Sequence, residues 1–500
     1  MAGLPHAALR RVALYARPES RFLMLALAKR LREAWGSTVH LYCANADQVA
    51  SFRRAPEAAL FERIEAVGVF SAFSDVDHHT PLSVAEQARA EAIERDYGVT
   101  LNFLAVSNRH IGRGYALGGP YHPRSRLSDR ATDRTIARGY ARIFDYWEGE
   151  FDRHGFTLLL NGGRESVMVA RRRNIPSRIL IGSRFKNLHC WAWNEFYECP
   201  EVEHAYRTLP QRVGAQISAP YQGHLDSRRR ARRAGSAGAL LKRAILMTAR
   251  YAWWWIRGYE KGRTYYLSSN LKFLYRIWRD WRDVRRLART RVGDLTAAGV
   301  PFVYYPCHLE PEAALQGISP EFFFQHALIA AVSRDLPAGV MLAVKEAFGA
   351  IGRRPIDFYR HLADLKNVVL LDPWEMGLDC VRASRAVVTI CGSTGFEAAA
   401  MGRQVIALGR HNVFSFLPVV QTAKRLDELG PALQRALSSS EPTAESEAQG
   451  RRFLAAVEAT SFDLRGFDYG HPSIVDPEAV DAMAEGLLRS VSMTPVPLGS

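Results

Sequence analysis

Short apolar runs and amphipathic stretches alternate along the first two hundred residues. Val12–Tyr15 and Thr38–Cys43 read as strands, and between them Arg21–Trp35 repeats its apolar residues at helical spacing. Ala131–His154 reads as a long helix, Leu158–Leu160 as a short buried strand and Asn161–Gly162–Gly163–Arg164 as a tight turn. A helix from Glu165 to Arg173 and a strand at Ile179–Ile181 follow. The same rhythm restarts further on. Strands are predicted at Phe302–Tyr305, Val340–Val344, Val368–Leu371, Ala386–Ile390 and Val405–Leu408, with helices at Pro320–Ser333, Phe358–Ala363 and Phe396–Met401 and a short one ending at Cys380–Ala383. Ser438–Gly450 is polar and reads as a linker or exposed loop, and Pro477–Ser490 as a last helix crossing back to the first domain.

Strands separated by helices imply parallel sheets covered on both faces. The predicted fold is therefore α/β, with two Rossmann-like domains facing a cleft and a basic, Trp-rich helical insertion between them. The predicted boundaries are 1–225, 226–295 for the insertion, 296–437, and 438–500 for linker and crossing helix. Open parallel sheets bind ligands beyond the carboxyl ends of their strands, which directs attention to the residues that follow each strand.

Composition adds one unusual number. Of 500 residues, 48% are hydrophobic and 23% charged, which excludes disorder and fibrous classes, but the formal net charge is +15. Nineteen Lys/Arg against three acids (Glu260, Asp280, Asp283) lie between Arg228 and Arg291, so the excess belongs to that segment and the remainder is near neutral. Five of the ten tryptophans fall there too. Six scattered cysteines without a CxxC pair fit a reducing compartment. The N-terminal stretch lacks the apolar core of a secretion signal, and the run from Ala244 to Ile256 is too short to span a bilayer.

Two helices are predicted in the basic segment. In the first, Leu240–Arg257, the residues Arg243, Arg250 and Arg257 share a face. In the second, Leu271, Leu274, Trp278, Trp281, Val284 and Leu287 form an apolar stripe. Such helices suit an anionic membrane surface, with Arg250, Trp254, Arg257, Trp278 and Trp281 as the docking set. Packing of the stripe on its own domain is the competing interpretation. Nucleic acid is not expected, because no helix-turn-helix, zinc-finger or RNA-recognition signature accompanies the charge.

Three strings carry chemistry. In Ala386–Gly409 a strand opens into Cys391–Gly392–Ser393–Thr394–Gly395 and a helix starts at once, so unpaired backbone N–H groups with the Ser393 and Thr394 hydroxyls can hold a phosphate. Glu397 follows as an acceptor for ribose or sugar hydroxyls; a plain strand–turn–helix connection explains the glycines equally simply. In Leu342–Gly349, Lys345 and Glu346 end a central strand, as a phosphate partner and a base or as a strand-end ion pair. In Tyr304–Gly317, His308, Glu310 and Glu312 follow the first strand of the second domain, in a spacing that matches no zinc pattern. Asn161, Arg164 and Arg184 hold comparable strand ends in the first domain.

In order, PCHLEPEAALQGISPEFF, the strand ending in VKE, RRPIDFYRHLADLKNVVLLDP and CGSTGFEAAAMGRQVIALG resemble the capsule polysaccharide biosynthesis family, whose members include bacterial Kdo-transferase-like proteins. The resemblance is best from Pro301 to Gly409, fainter over Tyr140–Asn194 and absent from the basic insertion. It implies a GT-B glycosyltransferase of surface polysaccharide assembly, with the nucleotide-sugar donor, CMP-Kdo among the options, on the second domain and a glycan or lipid-linked acceptor. It further implies Glu346 and His308 as catalytic residues. Lys345, Gly392, Ser393, Thr394, Gly395, Glu397 and Glu310 would bind the donor; Asn161, Arg164 and Arg184 would face the acceptor. No cofactor or metal is expected, and the location implied is the cytoplasmic side of the inner membrane. Family members commonly read Val-Lys-Glu-His-Pro where this chain has Val344–Lys345–Glu346–Ala347–Phe348, so a histidine expected near the donor is missing. Two alternatives share the pattern: a nucleotide-sugar epimerase of the same architecture, and a non-catalytic glycan-binding or scaffold protein.

Overall fold

The computed structural model describes residues 7–106, 108, 110–111, 123–210, 215–217, 222–309, 315, 318–409, 411–439, 442–467 and 475–493. The chain divides into two compact units, each α/β. The first comprises Met1–Ala105, Leu127–Ala205 and Val457–Ser500, the second Val106–Arg126 and Tyr206–Ala456.

The first unit is built on β1 (Arg11–Tyr15), β2 (Thr38–Cys43), β3 (Arg63–Ala66), β4 (Leu158–Leu160), β5 (Ser177–Gly182) and β6 (Leu188–Ala192). The second contains β7 (Phe302–Pro306), β8 (Met341–Lys345), β9 (Val368–Leu370), β10 (Ala386–Thr389), β11 (Gln404–Leu408) and β12 (Val420–Ala423), and β13 (Phe462–Asp463) returns to the first. The sheet orders are β13-β6-β5-β4-β1-β2-β3 and β12-β11-β10-β7-β8-β9. Numbered within its unit, the second sheet therefore runs 3-2-1-4-5-6, the doubly wound Rossmann order, and the first runs the same way with β13 added as a seventh strand beside β6. All pairings of the second sheet are parallel, whereas β6 is antiparallel to both β5 and β13.

The central strands are short and apolar because helices cover both faces. Every residue of β4 and β10 is buried. In the first unit the strands pack on Leu23, Leu27 and Leu31 of the helix Arg21–Trp35 and on Met483 and Leu487 of the helix Pro477–Ser492. The last helix is further tied down where Arg178 donates to the carbonyl of Ser490 at 2.6 Å and the Trp191 indole to that of Met483 at 3.0 Å. In the second unit Val303, Tyr305, Val344, Val388 and Ile406 meet Leu328, Ile329, Phe358 and Leu362.

The structure differs from the sequence expectation in three places. The basic segment is not a body of its own: the helices Gln222–Ala234, Ala237–Ile256 and Leu267–Leu287 all belong to the second unit. Residues 106–126 join them there, since Ser125 pairs with Tyr265, and the amides of Arg124 and Arg126 donate to Ser269 Oγ and the Thr264 carbonyl at 2.8 and 2.9 Å. Finally, the stretch read as a linker over Ser438–Gly450 runs into a helix, Ala444–Thr460. Its first turns pack backbone to backbone, so no apolar stripe announces them: a Cβ on Gly450 would fall 2.3 Å from the Ala400 carbonyl oxygen.

Candidate functional site

In a doubly wound sheet the strand order reverses between strands one and four, and their outgoing loops part to leave a crevice. In the second unit these strands are β7 and β10. The chain leaves β7 into Cys307–His308, and leaves β10 into Ile390–Cys391–Gly392 before the helix Ser393–Ala400. The two loops are joined directly. The Cys391 amide donates to His308 Nε2 at 3.2 Å and the Gly392 amide to Thr389 Oγ1 at 3.1 Å. Because His308 accepts through Nε2, its ring proton sits on Nδ1. The His308 main chain is fixed in turn: its N–H donates to Gln325 Oε1 at 2.7 Å, and its carbonyl accepts from Gln325 Nε2 at 3.1 Å and from Arg354.

With Cys391 and Gly392 committed, the first helical amides, those of Ser393, Thr394 and Gly395, have no carbonyl one turn earlier to bond, and the helix dipole adds positive potential there. Gly392, Ser393 and Thr394 are half-buried at this point, open enough to meet a ligand. The two glycines are required by space rather than by backbone angle. A Cβ on Gly392 would lie 3.0 Å from Thr389 Oγ1 and 3.1 Å from His308 Nε2; one on Gly395 would lie 2.4 Å from Thr389 Cγ2 and 2.8 Å from Phe414 Cζ.

Lys345 and Glu346 leave β8, next to β7, and their roles divide. Glu346 is 3% exposed and both its oxygens are occupied. Oε1 accepts from the Ala347 amide at 2.8 Å, while Oε2 accepts from Arg354 and from the Tyr359 hydroxyl. The residue expected from sequence as a catalytic base is thus one end of a buried ion pair, whose other end, Arg354, also holds the carbonyl of His308. The sequence offered a surface ion pair at the strand end as its alternative; Glu346 instead pairs with Arg354, a residue outside that motif, and does so in the interior. Lys345 is buried too, and burial pulls its ammonium pKa below the ordinary lysine value. Its Nζ donates to the Glu346 carbonyl at 3.2 Å and lies 4.5 Å from the centre of the Phe348 ring. Phe348 stands where the family pattern has proline, and stacks on Trp374 with centroids 6.4 Å apart.

Glu397 lies one turn inside the helix, deeper than the first-turn position expected from sequence. Burial raises its carboxyl from the ordinary 4.5 to about 7. Its Oε1 is 3.7 Å from Nδ1 of His224, a residue the sequence reading did not single out. His224 arrives on Gln222–Ala234, the first helix of the basic segment, and its pKa is lowered by burial and then by the charge of Lys345. No motif marks His224, since only the tertiary fold brings that helix to β10. His224 thus links Glu397, one turn along the helix from those amides, to the charge of Lys345. Glu310 falls outside the described residues.

The first unit has a similar crevice between β1 and β4, and Asn161–Gly162–Gly163–Arg164 leaves β4 there. Asn161 adopts a left-handed φ of 55° and its Oδ1 accepts from the Leu180 amide at 2.8 Å, which makes it a strut between neighbouring strands. Arg164 is half-buried, with its guanidinium 6.0 Å from the Phe103 ring. Arg184 is exposed in the turn between β5 and β6, also with a left-handed φ, of 68°.

The expected docking set divides. Arg250 and Arg257 are exposed. Trp254 is not on the outer face: it packs against Gly262, where an added Cβ would lie 3.1 Å from its backbone. Trp281 is wedged over Gly235 and Gly352, with its ring 6.1 Å from that of Trp374, and Trp278 is half-buried beside Tyr275. Among the described residues, no group of three or more His, Cys, Asp or Glu is placed to hold a metal ion, and no helix is long and apolar enough to cross a membrane.

No family model and no curated protein matches the chain. Solved structures similar to it include the Thermosulfurimonas dismutans KpsC, a beta Kdo 2,4 transferase, at 12% identity over 60% of this chain and 79% of that one, TM-score 0.29. An S. aureus MnaA–UDP co-structure shares 11% identity over 90% of this chain and 94% of that one, TM-score 0.25. Sucrose-phosphate synthase from Thermosynechococcus elongatus shares 12% over 96% and 99%, TM-score 0.28. Values this low assign no activity, and the fold rests on the strand order of the two sheets.

Proposed function

We propose that the protein is a nucleotide-sugar-dependent glycosyltransferase of surface polysaccharide assembly, with its donor at the crevice between β7 and β10. One observation carries the reading: His308 and Thr389 take up the Cys391 and Gly392 amides and leave those of Ser393, Thr394 and Gly395 at a half-buried turn, with Glu397 one turn along the helix and His224 linking it to the charge of Lys345. Three converging N–H donors with a nearby ammonium suit a phosphate, and a buried carboxyl suits the hydroxyls of a ribose or sugar.

In this assignment the amides and Lys345 stabilise charge as the bond from the anomeric carbon to phosphate oxygen breaks and the nucleotide leaves. The acceptor oxygen bonds the same carbon and loses its proton. Glu397, titrating near neutrality, is placed to hold a donor hydroxyl or exchange a proton, in place of Glu346. His308 acts as a positioning residue for the turn. The ordered motifs from Pro301 to Gly409 suggest CMP-Kdo as the first donor to try, with a glycan or lipid-linked acceptor and a site of action at the cytoplasmic face of the inner membrane.

The test is a thermal-shift screen with CMP, UDP and GDP, followed by incubation with CMP-, UDP- and GDP-sugars with and without glycan acceptor. A nucleotide that raises the melting temperature of the wild type but not of Ser393→Trp, with acceptor-dependent release of that nucleotide, is the expected result. Epimerised sugar formed without acceptor replaces transfer by epimerisation at the same site. Absence of any nucleotide response overturns the donor site.

A further inference from the structure

The helix Ala237–Ile256 has no buried residue, although it is among the most apolar in the chain. Twelve large hydrophobic residues are exposed among those described, and six of them sit on this one helix: Leu241, Ile245, Leu246, Trp253, Trp255 and Ile256. Trp255 is 77% exposed and Ile256 71%.

The helix has three sides. At 3.6 residues per turn, Leu240, Ala244, Met247, Tyr251 and Trp254 share a side, and all are half-buried. That side meets the helix Leu267–Leu287, where Asn270 Nδ2 donates to the Tyr251 hydroxyl at 2.7 Å. Leu241, Ile245, Trp253 and Ile256 fall away from it, with Leu246 and Trp255 at the two margins, and make a face with no partner among the described residues. Arg243, Arg250 and Arg257 run along one border of this face, Lys242 lies on it, and the helix contains no acid.

We infer that this face is an interfacial anchor that lies flat on an anionic lipid surface. Three features choose lipid over a protein partner. The apolar face is bordered by guanidinium groups that pair with no carboxylate among the described residues, which suits phosphate headgroups. Trp253 and Trp255 cluster at one end, and indoles favour headgroup depth. The helix has the length to cross but is interrupted by Lys242, Arg243 and Arg250 and is not apolar enough to do so, which suits its apolar side to lying in the interface plane. The anchor is therefore the outer side of one helix rather than the tryptophan set marked by spacing, because Trp254, Trp278 and Trp281 are engaged within the unit.

The test uses the full chain in co-sedimentation with vesicles of phosphatidylcholine and phosphatidylglycerol, against phosphatidylcholine alone. Wild type should bind the anionic vesicles and lose affinity as salt rises. Trp253→Ser/Trp255→Ser/Ile256→Ser should lower partitioning by about ten-fold or more. Arg250→Ala/Arg257→Ala should lower it by roughly thirty-fold on anionic vesicles, at about five-fold per arginine. Val84→Ser, which trims an exposed apolar residue of the other unit, should change nothing. An unchanged melting temperature in each variant shows that folding is intact. Wild-type affinity in the triple variant overturns the inference, as does a wild type that ignores anionic vesicles. Concentration-dependent dimers that the triple variant abolishes, without vesicle binding, make the face a self-association surface and equally overturn it.

Discussion

Replacing Glu346 by alanine separates a structural carboxylate from a catalytic one. The Glu346 and Arg354 side chains are 2% and 1% exposed, so the substitution leaves a guanidinium in the interior without its counter-charge. Removing one partner of such a pair costs about 3–5 kcal/mol. In a unit of this size each kcal/mol lowers the melting temperature by roughly 2 °C, which puts the expected loss at about 6–10 °C by calorimetry. The double variant Glu346→Leu/Arg354→Met removes both charges together and should recover most of the loss, because no ion is left stranded. Glu346→Gln supplies the functional arm. The amide oxygen keeps the Ala347 contact and its NH2 donates to the Tyr359 hydroxyl in place of accepting from it, so nucleotide-induced stabilisation and turnover should survive at temperatures where the variant is folded. A Glu346→Ala protein that melts within about 2 °C of wild type would show that the pair is hydrated. A folded Glu346→Gln protein that has lost turnover by about a hundred-fold would falsify the structural assignment and return Glu346 to the reacting centre.

Two other perturbations test the same neighbourhood. Glu397 has its pKa raised by burial from 4.5 to about 7, so its contribution to stability is full below about pH 4.5 and is lost as pH rises to about 7. The loss is on the order of 3 kcal/mol before any offset from His224, and Glu397→Gln should abolish this part of the pH dependence and be the more stable protein above pH 7. Melting curves of the two proteins that run parallel from pH 4.5 to 7.5 would remove the buried carboxyl from the account. Gly395→Ala forces a methyl to 2.4 Å from Thr389 Cγ2 and should cost roughly 1–3 kcal/mol while weakening nucleotide binding. A variant with wild-type stability and nucleotide response would mean that the turn is not tightly packed.

The strands that a sequence reader finds in this chain are the ones covered on both faces. Val12–Leu14, Leu158–Leu160 and Ala386–Thr389 are continuous apolar runs because helices lie above and below them. The strands that went unread lie toward the sheet edges. β3 is Arg-Ile-Glu-Ala with one buried residue, and β13 is two residues long. One-sided cover and short length erase the pattern there. The site divides in the same way. The glycine turn after β10 and the Lys345–Glu346 pair are contiguous and therefore visible. Arg354, Gln325 and His224 are brought to them by three different helices or loops, and their roles exist only once the sheet has formed. Glu346 shows the limit most sharply, since a strand-end acid looks the same in sequence whether it faces a ligand or a buried arginine.

The return of the chain to its first sheet has a consequence for synthesis. β13 and the helix Pro477–Ser492 are the last described elements to leave the ribosome, yet they cover the sheet that contains β1, the first described strand. Until residue 490 has emerged, Arg178 has no Ser490 to bond and Trp191 no Met483 carbonyl, and the faces of Leu27, Leu31, Leu158 and Trp191 that this helix covers stay open. The second unit, by contrast, is complete at Ala456. The unit begun first is finished last, so a nascent chain stalled after Ala456 should carry a protease-resistant second unit and a first unit still dependent on a holdase chaperone.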